Sequence, residues 1–418
     1  MISTCRPEPN LNTSPASFQK KSRRTLAAAT PKYVGIERLR GVAILFTVLA
    51  HANFGSLYPQ IPALFRESWG GVQLFFVISG FLVSESLARS LPVLEGLAWS
   101  QKWQIGKQAI TAFFLRRYYR IIPPALVMVA GLLVWATALS FATQNFTIIR
   151  DYVRETLCLL GGFYNYAMGK QLTSYLGPFW SLTVEEHFYL ALPFLFLLFD
   201  STRSRIKMAL VAIGIVTLGL RPISILLKST VLPELGLRTA THLMCDFLFA
   251  GTLLSLLRAE GFASLPFVGK RILKVSAWVA LAVVALAPAI LPVDIVGSGL
   301  SGATFPMMLL ASVFLVYLGS LPGVEILAVP GMSRILEWLG ARCYSLYLVH
   351  YPILTYTDRF LMRSFSPEVL SKQFLLCALL QLSAIAIVGE IFHRTVEVRF
   401  NRIGRERSRR FMGEPISV

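Results

Sequence analysis

Arg40 and His51 close the two ends of one apolar run, with Gly41 to Ala50 between them. Eleven residues at about 100° each return a helix to within roughly 20° of its starting face, and the rise separates the two side chains by about 16 Å. Ionisable groups on one face of an apolar helix are costly to place in a membrane, so a functional path is the default reading. The alternatives are an arginine snorkelling to the interface and a histidine satisfied by a nearby carbonyl. A second polar stripe, Ser181, Glu185 and Tyr189, repeats at i, i+4 and i+8 on another apolar run that opens with Pro178 and Trp180. A carboxylate beside an imidazole raises its basicity and fixes its tautomer, as a general base acting on a hydroxyl requires. His51 is therefore the candidate base and Glu185 its candidate partner, while Glu186 and His187 read as complements to the helix dipole.

Two further groups carry chemistry. Arg116, Arg117 and Arg120 are three and four residues apart, so their guanidiniums can converge along a helix entering the membrane. Arginine forks bind phosphate well. The topological alternative is that basic residues are expected before any span. The run from Gly340 to Pro352 places Ser345 and His350 on one segment, His350 being a candidate for substrate contact or a packed histidine, with Pro352 expected to kink the helix. His242 and Asp246 are i, i+4 neighbours and are expected to pair with each other.

The elements that position these residues follow from composition. Of 418 residues, 55% are hydrophobic and 15% charged, which describes a polytopic membrane protein rather than a soluble domain. Apolar runs long enough to cross the hydrocarbon core fall at about 39–55, 69–88, 121–141, 178–199, 207–227, 239–257, 275–292, 301–319, 338–358 and 372–392. The expectation is an all-α bundle of about ten transmembrane helices. The net charge of +18, from 40 basic and 22 acidic residues, gathers in short segments between those runs. That pattern is topological information and not a nucleic-acid footprint. With ten spans the basic segments all fall on one side, which the positive-inside rule makes the cytoplasm, together with both termini. Counting 152–168 as a crossing would put Arg203, Arg205 and Lys207 outside, so that segment reads as lateral or re-entrant on the outer side. Three parts result: a disordered basic N-terminus over 1–31, a transmembrane domain over 32–393 and a basic tail over 394–418. No cleaved signal peptide is evident. No internal repeat is visible, against inverted-repeat transporter folds. The five cysteines, Cys5, Cys158, Cys245, Cys343 and Cys377, have no metal-ligand or disulfide spacing and read as small apolar filler.

A phosphate-binding cytoplasmic mouth, an imidazole and carboxylate on the outer side and a path between them suit a phosphorylated donor inside and an acceptor outside. These segments resemble the membrane acyltransferase-3 family of O-acyltransferases that decorate cell-surface sugars and some small natural products. The resemblance rests on Arg40 with ten residues before His51, the run Gly71 to Phe81, the Arg116 to Arg120 cluster, Trp180-Ser181-Leu182 through Glu185 and Tyr189, and Ser345 through His350. It implies about ten spans and transfer from cytoplasmic acyl-CoA, usually acetyl-CoA, to a hydroxyl of a surface carbohydrate or glycolipid at the outer face. By position it makes His51 the base, gives donor phosphates to Arg40, Arg117 and Arg120, and makes Glu185 a supporting group. Trp180, Ser181, Tyr189, Ser345 and His350 are the possible substrate-site residues. Two positions depart from the family pattern: Gln73 stands where many members have Asp, and Met244 where many have Arg. With the sequence running to Val418, the chain is expected to do without the extracytoplasmic hydrolase-like domain of some members. The expected protein is a multi-pass enzyme of the cell membrane, the inner one in a Gram-negative source, with acyl-CoA as cosubstrate and no permanently bound cofactor or metal. The competing reading is a transporter or flippase that uses the same Arg, His and Glu residues without making bonds.

Overall fold

A backbone that leaves water must satisfy its own polar groups, and every regular element among the described residues is helical. The computed structural model describes residues 33–52, 69–92, 94–168, 176–228, 238–261, 269–291 and 303–413. The expected basic leader 1–31 lies outside the described residues, as do the end of the first expected span and most of the stretches 55–68 and 228–238 between expected spans. The helices are α1 (Val34–His51), α2 (Gly70–Ser90), α3 (Trp99–Thr143), α4 (Thr147–Leu160), α5 (Tyr164–Ala167), α6 (Phe179–Leu198), α7 (Thr202–Gly214), α8 (Arg221–Lys228) and α9 (Thr241–Ala259). They continue as α10 (Lys270–Ile290), α11 (Thr304–Ser320), α12 (Met332–Ala341), α13 (Cys343–Ser364), α14 (Pro367–Lys372), α15 (Phe374–Phe392) and α16 (Val398–Met412). Two π-helical segments, Ile215–Leu220 and His393–Glu397, join α7 to α8 and α15 to α16 without a break.

Seven of these stretches are long and apolar enough to cross a membrane: α2, α3, α6, Thr202–Leu227, α9, Arg271–Ile290 and Phe374–Met412. This is a multi-pass helical membrane protein. Of the other three expected spans, 39–55 and 301–319 fall on single helices in their described parts, while 338–358 is broken at Arg342 between α12 and α13. Helix α11 is apolar but has 17 residues. Helices α1 and α13 carry charge inside otherwise apolar sequence, Arg38 and Arg40 in the first and Asp358 and Arg359 in the second. The segment expected to lie laterally forms α4, whose 14 residues extend about 21 Å, short of the roughly 30 Å core. Gly162, at φ +73°, ends it in a conformation glycine adopts without strain.

Small residues bring the helix backbones together, as expected where lipid supplies no hydrophobic drive between helices. A Cβ on Gly80 would sit 2.0 Å from the Leu248 carbonyl oxygen, and one on Gly251 would sit 2.1 Å from that of Val77, so α2 and α9 touch along both backbones. Gly41 and Gly340 do the same between α1 and α12. Helix α1 is consequently central, packed on α2, α11, α12 and α13. That location explains why Arg40 and His51 both face protein.

Two boundaries move from their expected places. The stretch expected as a loop from 89 to 120 is helical from Trp99 on, forming one 45-residue helix with the span, and Lys102 Nζ anchors it to Asp200 at 2.8 Å. The helix expected to end at 392 continues to Met412. Its last part is no free tail: Gly404 lies against Tyr119, and Arg116 donates to Ser408 Oγ at 2.8 Å.

Candidate active site

His51 occupies the last position of α1, one turn above Thr47. Its Nδ1 lies 2.8 Å from the Thr47 carbonyl oxygen and 3.4 Å from His350 Nε2. A carbonyl only accepts, so His51 Nδ1 carries the proton. His350 Nδ1 lies 2.7 Å from the Tyr347 carbonyl and is a donor by the same reasoning, which leaves His350 Nε2 as an acceptor facing His51. The lone pair of His51 is then on Nε2, away from both contacts. His350 is fully buried, and Tyr351 stands edge-on to His51 with ring centroids 5.4 Å apart. Ser181 belongs to this end: its hydroxyl pairs with Tyr347 Oη at 2.5 Å, and Tyr347 also donates to the Pro178 carbonyl at 2.7 Å. Trp180 is half-buried and packs edge-on against Phe76.

A second cluster gathers at the basic end. Arg40 donates to both Glu37 carboxylate oxygens, at 3.0 and 3.2 Å, and to Cys343 Sγ at 3.0 Å. Arg117 stacks its guanidinium over the Phe113 and Tyr189 rings at 5.8 and 5.7 Å. Among the described residues neither Arg117 nor Arg120 donates a hydrogen bond, so both keep donors for an anion while Glu185 lies within their field. Glu185 accepts from Tyr189 Oη at 2.8 Å, and Tyr189 pairs with Ser79 at 2.6 Å. Glu397 accepts from Ser345 Oγ at 2.5 Å and faces His393 Nδ1 at 2.9 Å.

Several expected relations change here. No direct contact joins Glu185 to His51; the carboxylate belongs with the arginines, and His350 takes the place beside the imidazole. Arg116 also ties two helices together, donating to Ser408 Oγ on α16. Ser345 and His350 face opposite clusters although they share α13. Asp246 pairs with Arg221, not His242: Arg221 Nη2 donates to Oδ1 at 2.9 Å in a site where both side chains are almost wholly buried. His242 instead stacks on Tyr166, with its Nδ1 3.2 Å from Tyr166 Oη. His187 is more than a dipole complement, since it bridges Thr241 Oγ1 at 2.7 Å and the Gly162 carbonyl at 2.6 Å. Together with Asn165, which donates to the Thr239 carbonyl and Thr241 Oγ1, it fastens the α4 and α5 segment to α9. Beneath that segment Glu155 accepts from Leu176 N at 2.8 Å. Burial and this carboxylate together push the Tyr164 hydroxyl well above its ordinary pKa.

A family model described as an acyltransferase domain matches residues 33–389. The chain belongs to the acyltransferase-3 family. Its curated relatives include the peptidoglycan O-acetyltransferase OatA of Listeria monocytogenes, 24% identical over 387 residues, covering 89% of this chain and 56% of that protein. The O-acetyltransferase OatA of Staphylococcus aureus is 24% identical over 392 residues, covering 90% of this chain and 58% of the relative. The putative peptidoglycan O-acetyltransferase YrhL of Bacillus subtilis is 25% identical over 335 residues, with 77% and 48% covered. The chain thus spans about half the length of these acyltransferase-3 relatives. No solved structure matches.

Sequence reasoning missed Glu37, Tyr347, Tyr351 and Glu397 and read Cys343 as filler. Glu397 had a readable signal, an acid four residues after His393 at the start of a basic stretch. The π-helical turn that buries it had none. Among the described residues of this acyltransferase-3 chain no group of three or more His, Cys, Asp or Glu could hold a metal ion.

Proposed function

We propose that the protein is an integral membrane O-acetyltransferase that moves an acetyl group from acetyl-CoA to a hydroxyl of a cell-surface carbohydrate. Peptidoglycan is the acceptor class favoured by the names of its relatives. The observation that carries this reading is the commitment of His51 Nδ1 to Thr47 and His350, which leaves Nε2 as a base. In the reaction, Nε2 takes the proton of the acceptor hydroxyl as its oxygen attacks the thioester carbonyl. The new C–O bond forms, the C–S bond breaks, and the departing CoA thiolate recovers the proton from the imidazolium. Arg117 and Arg120 hold the donor phosphates through their uncommitted donors. Arg40 already has Glu37 as counter-charge and Cys343 as a further acceptor, so it adds less to donor binding than Arg117 and Arg120. The basic ends and both termini face the cytoplasm, where the donor is made, and the His51 end faces outward in the cell membrane.

Purified protein in detergent, given acetyl-CoA and a muropeptide glycan, should release free CoA thiol only when acceptor is present. His51→Ala should abolish release while inserting normally. Acceptor-dependent release that survives His51→Ala removes His51 from the chemistry, and absence of any release in the wild type overturns the reading.

A further inference from the structure

Helices α10 and α11 border an open groove of about 770 Å³ on the outside of the bundle, lined by none of the residues of the two clusters described above. Its walls are apolar, formed by Val275, Val279 and Val283 on one helix and Leu310 and Phe314 on the other. The one hydroxyl in the wall, Ser276, donates back to the Leu273 carbonyl at 3.0 Å and offers nothing to a ligand. Arg271 closes one end; it makes no hydrogen bond or ion pair with any described residue.

We propose that this groove binds one anionic phospholipid, with its phosphate on Arg271 and one acyl chain laid between α10 and α11. Length selects the occupant. From Arg271 to Val283 is twelve residues, about 18 Å of helix, which is little more than half of the roughly 30 Å hydrocarbon core. A partner helix would need a groove across the whole core, whereas a lipid anchored at one interface reaches only to the midplane. Charge selects the headgroup. A guanidinium at the interface offers bidentate donors to a phosphate oxygen pair, and the arginines and lysines of this end make it the basic side of the protein. A zwitterionic lipid brings its own ammonium to the same place and loses most of that attraction.

The test uses the full-length protein in mild detergent and native mass spectrometry, with phosphatidylglycerol and phosphatidylcholine supplied in equal amounts. The expected result is one retained phosphatidylglycerol per chain, preferred over phosphatidylcholine. Arg271→Gln should cut that preference about fivefold, the worth of one basic residue near an anionic headgroup. Val279→Trp, which fills the groove without touching the charge, should remove the retained lipid. A photoreactive group midway along the acyl chain should label α10 or α11 in the unmodified protein, a readout independent of how either variant folds. Equal retention of the two lipids, or labelling spread over all lipid-facing helices, overturns the proposal.

Discussion

Thr47 and His350 decide which nitrogen of His51 carries the proton, and that choice controls whether the side chain can act as a base. A carbonyl and a second imidazole both face Nδ1, so Nε2 is the basic atom. On the proposed function His350 acts through His51, as a positioning residue. His350→Leu removes one acceptor, a hydrogen bond worth about 0.5–1.5 kcal/mol, and should lower kcat by roughly tenfold at the upper end of that range, with KM for acetyl-CoA unchanged. His350→Gln, whose amide oxygen also accepts, should restore most of the loss. A fall in KM-dependent terms alone, measured with purified enzyme, would assign His350 to donor binding instead. The sequence exposed both histidines but misassigned their company, because a helical stripe gives a face and not the helix it faces. Glu185 shares its stripe with Ser181, yet Ser181 meets the Tyr347 hydroxyl near His51 while Glu185, one turn on, meets Tyr189 and lies in the field of Arg117 and Arg120.

Contact between helices depends on a few small or buried positions. A methyl on Gly80 would lie 2.0 Å from a backbone oxygen that cannot withdraw without moving α9. Gly80→Ala should cost about 1–3 kcal/mol through overpacking, read as a lower midpoint of thermal unfolding in detergent. The Arg221 and Asp246 pair joins α8 to α9 in a site closed to water. Asp246→Asn leaves the guanidinium buried without its counter-charge, a loss of about 3–5 kcal/mol, and should unfold more readily than Gly80→Ala in the same assay. The positions that depart from the family pattern meet in this region: Gln73 Nε2 lies 3.9 Å from Met244 Sδ, so the two departures form one neutral contact. Helix existence was legible from apolar runs. The π-helical turns, the continuation of α3 and α15 beyond their apolar parts and the Arg221 partner were not, since each depends on what a neighbouring helix presents. Periodicity within one segment cannot report that.

At the scale of the molecule the two clusters are joined by α1 and α13, with Arg40 and Cys343 at one end and His51 and His350 at the other. The face of α1 between them is closed, because Ile44 and Thr47 are buried and Thr47 Oγ1 donates to the Ala43 carbonyl at 2.9 Å. On the proposed function the donor is gripped at one end and reacts at the other, about 16 Å away along the helix, and the two operations are separable. A thioester lacking the nucleotide and phosphates, such as S-acetyl-N-acetylcysteamine, keeps the reactive carbonyl and gives the arginines nothing to hold. Arg117→Gln combined with Arg120→Gln should raise KM for acetyl-CoA at least tenfold, by losing charge-assisted hydrogen bonds worth about 1.5–3 kcal/mol each. The same double variant should use the short thioester as well as the wild type does, at its low efficiency. His51→Ala should lose both donors equally, because its role lies in the transfer step. If the arginine variant lost the short thioester too, Arg117 and Arg120 would have to support the reacting end, and the division of the molecule into a gripping end and a reacting end would fail.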